Sequence, residues 1–581
     1  QSNTGDVSFS GASGKKFDVK FPAGNTGDLD VMAGRDVLFN IPFTSTESNS
    51  TIPSRVFAGR DIRSTANNAD VSFLSTTDHG STLTWVARRN ITTDGILTAS
   101  YTGTQTGIMA FQAAGGNITT NNKVRISTEN KNYVLFSAEQ TSGCGVANNP
   151  NVPYTDCTPG NRNNENGNIY WNDSVTITRT VTSNSTTDIL AMNNIRTNQV
   201  GITNAAAKDT TNVTSYMGDI WLGYSNPTSP ATNTNRFTYS GTGDGGMLNI
   251  KAGFRDATNT AHDGGGNIYF TSLRGIMAAT KKHVTEISIP YSNEYICGSA
   301  CDGLLHERKD ASMRRYEHSG IIGGLGACHR DKNIAQYAAV AQGTPAMVMG
   351  TNDTSLLYLG NTGDLKVDAG KRGNIILNKG ALINFQDDNG DATFRTREGD
   401  IDMRDPFDAK KMKGSLLFLA QLENFSKLSE IGVCGCDEER NNVYLQDFEY
   451  KAEGNSGSVF VGADNNIKLN YGGLTNIGTR QDPFLSTDRE TYPNGAVKKI
   501  GRGYKHGGGC DRFYHCDLDG SENQARDLIL DFNGGGTPVT SGGFAAVASD
   551  MIDVYKNLIY KGGNGSGLST VPETGTLHGE N

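Results

Sequence analysis

The chain has 581 residues and a net charge of −9 at pH 7, without a long Lys/Arg run, which argues against a general nucleic-acid binder. No stretch approaches the roughly 18 consecutive apolar residues of a transmembrane helix, and hydrophobic residues make up only 36% of the chain. There are 71 Gly, against a usual share of about 7%; with abundant Asn, Ser and Thr this suits short strands joined by many turns.

The 23 Phe and 21 Tyr argue against disorder. The chain starts at Gln1 without Met or a signal peptide, as expected of a mature product or of a fragment of something longer. The first patterned segment is VMAGRDVLFN from Val31, repeated as VFAGRDIRST from Val56, 25 residues on. A second phrase is Gly, then Asp or Asn, then an aliphatic residue opening a short alternating run. It appears as GDLDVMAG at Gly27, GNITT at Gly116, GNIYWND at Gly167, GDIWLGY at Gly218 and GNIYFTS at Gly266. It returns as GDLKVDAG at Gly363, GNIILNKG at Gly373 and GDIDMRD at Gly399. The spacings 51, 51 and 48 from Gly116 to Gly266 are close to twice 25.

Repeats of about 22–25 residues made of a turn and short strands predict a β-solenoid, in which each coil buries the apolar face of the last. Stacking would place Arg35 near Arg60 at about 4.8 Å, a repulsion of roughly 3 kcal/mol at an effective dielectric of about 20. Asp36 and Asp61 are expected to interleave with them as a charge ladder, with Gly34 and Gly59 forming the tight corner before it. This motif reads as a structural corner rather than a catalytic one.

Ala-Gly-Arg-Asp-[Val/Ile], at Ala33–Val37 and Ala58–Ile62, resembles the repeat phrase of filamentous-haemagglutinin-like adhesins. The tail GGFAAVASDMIDVYKNLIYKGGNGSG, from Gly542 to Gly567, is similar to stretches of giant exported bacterial surface proteins. The resemblance implies a mainly β chain wound as a right-handed parallel β-helix, on a bacterial surface or secreted. The expected organisation is solenoid over 1–280, a Cys/His-rich insertion or irregular coils over 281–350, and solenoid again over 351–581.

The 281–350 stretch loses the Gly-Asn-Ile phrase and gathers Cys297, Cys301 and Cys328 with His283, His306, His318 and His329. Local disulfides in an exported protein, including Cys144–Cys157 and Cys510–Cys516, compete here with a zinc site built on Cys297, Cys301, Cys328 and His329. Further on, GSLLFLAQLENFSKLSEIGV at Gly414–Val433 fits an amphipathic helix or solenoid strands equally, and AAVASDMIDVYKNLIY is ambiguous in the same way.

If the chain were a polysaccharide-processing β-helix enzyme or tailspike-like depolymerase, its carboxylates would be Asp387, Asp388, Asp391, Asp400 and Asp402. Asp-rich turns are also ordinary solvated corners. Calcium is the metal expected of an acidic extracellular solenoid, with candidates Asp517 and Asp519, in a loop that lacks the sixth-position Gly. No other cofactor is expected. The favoured reading is a non-catalytic structural or adhesive surface protein or filament segment. Its expected partners are further solenoid segments, copies of itself through uncapped ends, and surface glycans.

Overall fold

The computed structural model describes residues 1–21, 29–47, 54–65, 69–75, 83–101, 107–129, 133–138, 167–180, 185–204, 209–216, 219–223, 237–241 and 246–252. Further along it describes 268–270, 273–277, 284–288, 346–349, 357–360, 364–369, 374–377, 382–385, 391–396, 401–403, 407–412, 415–420, 443–445, 448–452, 456–463, 466–469, 490–491, 497–499, 528–531, 541–548, 551–554, 558–561, 566–572 and 577–579. Among the described residues the regular elements are all strands, and none is a helix. They belong to two units, Gln1–Lys251 with Leu273–Thr285, and Ala252–Ser272 with Glu286–Asn581.

In the first unit the winding opens with β1 (Val7–Phe9) and β2 (Phe17–Lys20). Each coil then runs round three faces: β3 (Asp30–Ala33), β4 (Val37–Phe39) and β5 (Phe43–Glu47), followed by β6 (Ser54–Ala58), β7 (Ile62–Ser64) and β8 (Val71–Ser75). The next two coils are β9 (Leu83–Ala87), β10 (Ile91–Thr93) and β11 (Leu97–Tyr101), then β12 (Ile108–Ala113), β13 (Ile118–Thr120) and β14 (Val124–Thr128). In the following two coils one long strand covers both later faces: β15 (Tyr133–Ala138) precedes β16 (Ile169–Arg179), and β17 (Thr186–Ala191) precedes β18 (Ile195–Asn204). Then come β19 (Thr210–Ser215), β20 (Ile220–Leu222), β21 (Phe237–Gly241) and β22 (Met247–Ala252). Strands of one face pair in parallel with their equivalents one coil away, so the chain is a β-solenoid.

The two-residue period of each strand sends alternate side chains inward, as in the burial of Ser54, Val56 and Ala58 but not of Arg55 or Phe57. Parallel in-register stacking turns this into columns. On the first face Val31, Val56, Trp85, Phe111, Phe136, Ile189 and Val213 follow one another, with Ala33, Ala58, Ala87, Ala113, Ala138 and Ala191 two residues on. On the second face the column is Val7, Val37, Ile62, Ile91, Ile118, Ile169, Ile195 and Ile220. Large rings fill the width of the interior: Trp85 lies 5.6 Å from Phe111, and Phe111 4.9 Å from Phe136. Such contacts add about 0.5–1.5 kcal/mol each beyond the area they bury.

The coil step varies. Val31 to Val56 is 25 residues, Ile62 to Ile91 is 29, and Ile91 to Ile118 is 27. Ile118 pairs directly with Ile169, so that 51-residue spacing is a single coil step, not two. The equal spacing from Asn168 to Asp219 does hold two, because Ile169 pairs with Ile195 and Ile195 with Ile220. Solenoid pairing fixes the strands and leaves the length of the connection between them free.

The second unit repeats the scheme. Leu365, Ala392, Leu416, Val459, Phe544 and Leu568 form one column, and Ile375, Ile401, Val443, Ile467, Ile552 and Leu577 another. The described part of the helix candidate, Ser415–Ala420, is a strand with Leu416, Phe418 and Ala420 buried. Its partner strand Ala392–Thr396 supplies Phe394, whose ring stacks on Phe418 at 5.4 Å, so tertiary pairing outweighs any helical spacing. Ser541–Ala548, Met551–Val554 and Leu558–Lys561 are strands too. Within 281–350 the described residues are the strand Ala346–Met349 and Val284–Ser288.

Candidate functional site

Between its first and second faces every coil of the first unit turns a corner, and the corners stack. Ala33 pairs with Ala58 and Val37 with Ile62, which superposes Gly34 on Gly59, Arg35 on Arg60 and Asp36 on Asp61. The Gly59 N–H donates to Ala33 O at 2.9 Å and the Arg60 N–H to Arg35 O at 2.8 Å. A Cβ at Gly59 would lie 2.1 Å from Gly34 O, and one at Gly34 would lie 2.1 Å from Asn3 O. Backbone passes over backbone here, and only glycine leaves the room.

The buried Asp36 carboxylate accepts from Arg60 Nε at 2.7 Å and from Arg60 Nη2, and also from the Asp61 N–H at 3.2 Å. Asp61, fully buried, accepts from Arg89 Nε at 2.8 Å and Nη2 at 2.5 Å, from Arg63 Nη2, and from Asn90 N–H and Nδ2 at 3.1 Å each. At the first coil Arg35 Nε is 3.5 Å from Asp6 Oδ1. The Arg60 hydrogen bonds hold Asp36 below its usual carboxylate range despite burial. Burial alone pushes Asp61 up, yet Arg89, Arg63 and the Asn90 N–H outweigh it and bring the group down to about 2. The same pairing raises Arg60 and Arg89.

The Asp position of this corner continues as an amide ladder. Oδ1 of Asp6, Asp36, Asp61, Asn90, Asn117, Asn168 and Asn194 each accepts the N–H of its equivalent one coil on, at 2.9–3.2 Å, ending at Asp219. Asn is used where the next coil brings no arginine: Asn90, Asn117 and Asn168 are followed one coil on by Gly116, Gly167 and Asn193, where Asp6, Asp36 and Asp61 meet Arg35, Arg60 and Arg89. The Ala-Gly-Arg-Asp phrase and the Gly-Asn phrases at Gly116 and Gly167 are therefore one corner, whereas GDLKVDAG at Gly363 leads into the strand Leu365–Asp368, of the sheet that holds β3. A second ladder sits after the second face, where Asn121 Nδ2 donates to Asp94 Oδ1 at 2.7 Å and Asn172 Nδ2 to Asn121 Oδ1 at 2.8 Å. On the outer side of that face the Arg196 guanidinium lies between the rings of Tyr170 and Trp221, 5.5 and 5.3 Å from their centroids.

Of the candidate acid/base residues, Asp391 is described, and its Oδ1 accepts the Ser415 N–H at 2.6 Å while its own N–H donates to Asp364 Oδ1 at 3.2 Å. It serves a coil-to-coil ladder. Asp402 lies in the strand Ile401–Met403, in register with Ile376 and Tyr444. Asp387, Asp388, Asp400, the calcium candidates Asp517 and Asp519, and all nine cysteines, Cys144, Cys157, Cys510 and Cys516 among them, lie outside the described residues. Among the described residues no group of three or more His, Cys, Asp or Glu is gathered as a metal site, and no helix is long and apolar enough to cross a membrane.

The amide ladder was missed from sequence because Asn is abundant throughout the chain. Its signal is narrower: Asn directly before the first inward aliphatic residue of a short strand. Compared with protein families, curated proteins and solved structures, the chain matches none.

Proposed function

We propose that this chain is an exported, non-catalytic surface protein of a bacterium, acting in adhesion or as a filament segment through the long sides of its solenoid. The observation that carries the reading is the corner ladder, in which one contact type recurs from Asp6 to Asp219. Its carboxylates face backbone N–H groups and arginines of neighbouring coils, an arrangement that builds a stiff repeating surface rather than a reaction centre. The outward Thr92, Thr119, Tyr170, Arg196 and Trp221, stacked in register on the second face, supply a row of polar and aromatic contacts. Partners of this kind of surface are glycans and further copies of the chain.

The test is incubation of the folded chain with a panel of acidic and neutral polysaccharides, reading both binding and chain length. Retention without new reducing ends or unsaturated products is expected. Depolymerisation of any of them replaces this reading with the enzyme, and Asp402 becomes the first residue to substitute. Export is tested separately by counting free thiols before and after reduction: the expected disulfides Cys144–Cys157 and Cys510–Cys516 hide four of the nine.

A further inference from the structure

The corner is asymmetric in depth. Its carboxylates lie inside, Asp36 at 7% exposure and Asp61 at 0%, while the guanidinium side chains of Arg35, Arg60 and Arg89 are 54%, 39% and 48% exposed. Arg60 and Arg89 meet their aspartates through Nε and Nη2, so the opposite edge of each guanidinium, with both Nη1 hydrogens, is not used by any described residue. Arg63, also paired with Asp61, and Arg88, exposed and without an ion pair among the described residues, flank the row. Five arginines thus stand over Asp6, Asp36 and Asp61, an excess of two positive charges on a chain whose net charge is −9.

We infer that this edge, Arg35–Arg60–Arg89 with Arg88, is a binding site for an acidic polysaccharide chain running along the solenoid. The inference rests on the surface-binding reading above and names its ligand class. Sulfate and carboxylate groups take two parallel N–H bonds from a guanidinium edge. The buried aspartates hold the arginines in place before any ligand arrives, which lowers the ordering cost of binding. The arginine positions of successive coils repeat at the strand spacing of about 4.8 Å, suited to a linear chain whose charges are separated by sugar rings. A nucleic acid, with a charge about every 1.7 Å of duplex, needs a broader basic face than this one.

The experiment measures affinity of the full chain for immobilised dextran sulfate and polygalacturonate across a salt series. It compares the wild type with Arg35→Gln/Arg88→Gln, which spares both bidentate pairs, and with the charge-matched Lys15→Gln/Lys16→Gln away from the corner. Circular dichroism confirms that each variant folds. The expected result is salt-sensitive binding, weakened about tenfold by the arginine double variant, as for loss of charge-assisted contacts, and less than about twofold by the lysine variant. Absence of wild-type binding to both polymers, equal effects of the two variants, or equally tight binding to single-stranded DNA overturns the inference. None of these touches the non-catalytic reading, which fails only if the polymer is cut.

Discussion

Arg60 holds Asp36 of the preceding coil by two parallel N–H···O bonds, while the next residue, Asp61, offers its own carboxylate forward to Arg89. The coils of Arg35-Asp36 and Arg60-Asp61 each give a cation backward and an anion forward. Interleaving cancels the like-charge repulsion that stacking would otherwise impose, and it keeps both carboxylates ionised in a buried setting.

The first prediction follows from Asp61. Its folded pKa of about 2 lies below the usual carboxylate value of 3.8, so its stabilisation is fully present above about pH 4 and is lost as pH falls through about 2. A depression of this size corresponds to about 2 kcal/mol at neutral pH. Asp61→Asn should lower the urea midpoint of the first unit at pH 7 and converge with wild type near pH 2. A constant gap across this range would contradict the charge ladder.

Gly59→Ala should be costly for a different reason. The new methyl meets Gly34 O at 2.1 Å, a backbone atom that can move only by parting two coils. The expected loss is up to about 3 kcal/mol, at the top of the usual range for overpacking. Faster amide exchange of Arg60 and Gly59, whose N–H groups bond to Arg35 and Ala33, is the local readout. Gly14→Ala offers the contrast, since nothing lies within 4 Å of its added carbon and only its φ of +80° opposes the change.

Much of this arrangement was legible in the sequence, and the reasons are specific. Ala33-Gly34-Arg35-Asp36 and its copy at Ala58 share a 25-residue step because no residues were added between β3 and β6. Parallel pairing was legible because alternating short runs recur without room for a helix between them. The 51-residue step from Ile118 to Ile169 misled, since one coil step with a long connection and two ordinary coils have the same length in sequence. Ser415–Ala420 was ambiguous because Leu-rich runs satisfy helix and strand patterns alike, and the deciding contact, Phe394 on Phe418, comes from another coil.

Asn117→Ala tests the amide ladder. Asn117 Oδ1 accepts both the N–H and the Nδ2 of Asn168, at 2.9 and 3.0 Å. Its removal leaves a part-buried backbone donor without its acceptor, which costs about 1–3 kcal/mol. Asn117→Asp keeps the acceptor but brings a charge with no arginine at Gly116 or Gly167 to balance it. Both variants should fall below wild type in thermal midpoint, and the aspartate should recover at acid pH while the alanine does not.

The edge of the first coil supports a prediction about association. Among the described residues β1 and β2 pair on one side only, with β4 and β5, and Phe17 is 43% exposed while stacked on Phe43 at 5.7 Å. An open parallel edge with an apolar ring offers both backbone groups and surface to another β coil. Sedimentation of the chain should show association that rises with concentration and weakens in Phe17→Lys. A wild type that stays monomeric at every concentration accessible would remove self-association from the proposed function.

Among the described residues of the first unit an arginine is buried in the interior, and it sets the final prediction. Arg179 faces inward between Thr128 and Asn204 in the stack and is 1% exposed. Its Nη2 donates to Thr186 O, while Nε and Nη1 find no hydrogen-bond partner among the described protein groups. Burial pulls the guanidinium down to about 10, opposed by the attraction of the buried Asp209. The guanidinium remains charged at neutral pH, and Asp209, whose Oδ1 accepts a hydrogen bond from Ser185 Oγ, supplies the largest of the attractions that oppose its desolvation. Removing one alone strands its partner at a cost of about 3–5 kcal/mol, whereas exchanging both for apolar groups is often neutral or stabilising. Arg179→Met should therefore destabilise the first unit strongly, Asp209→Leu should do the same, and the double variant should recover most of the loss. Additive losses in the double variant would show that the two groups do not compensate each other and that Arg179 is held by its bond to Thr186 alone.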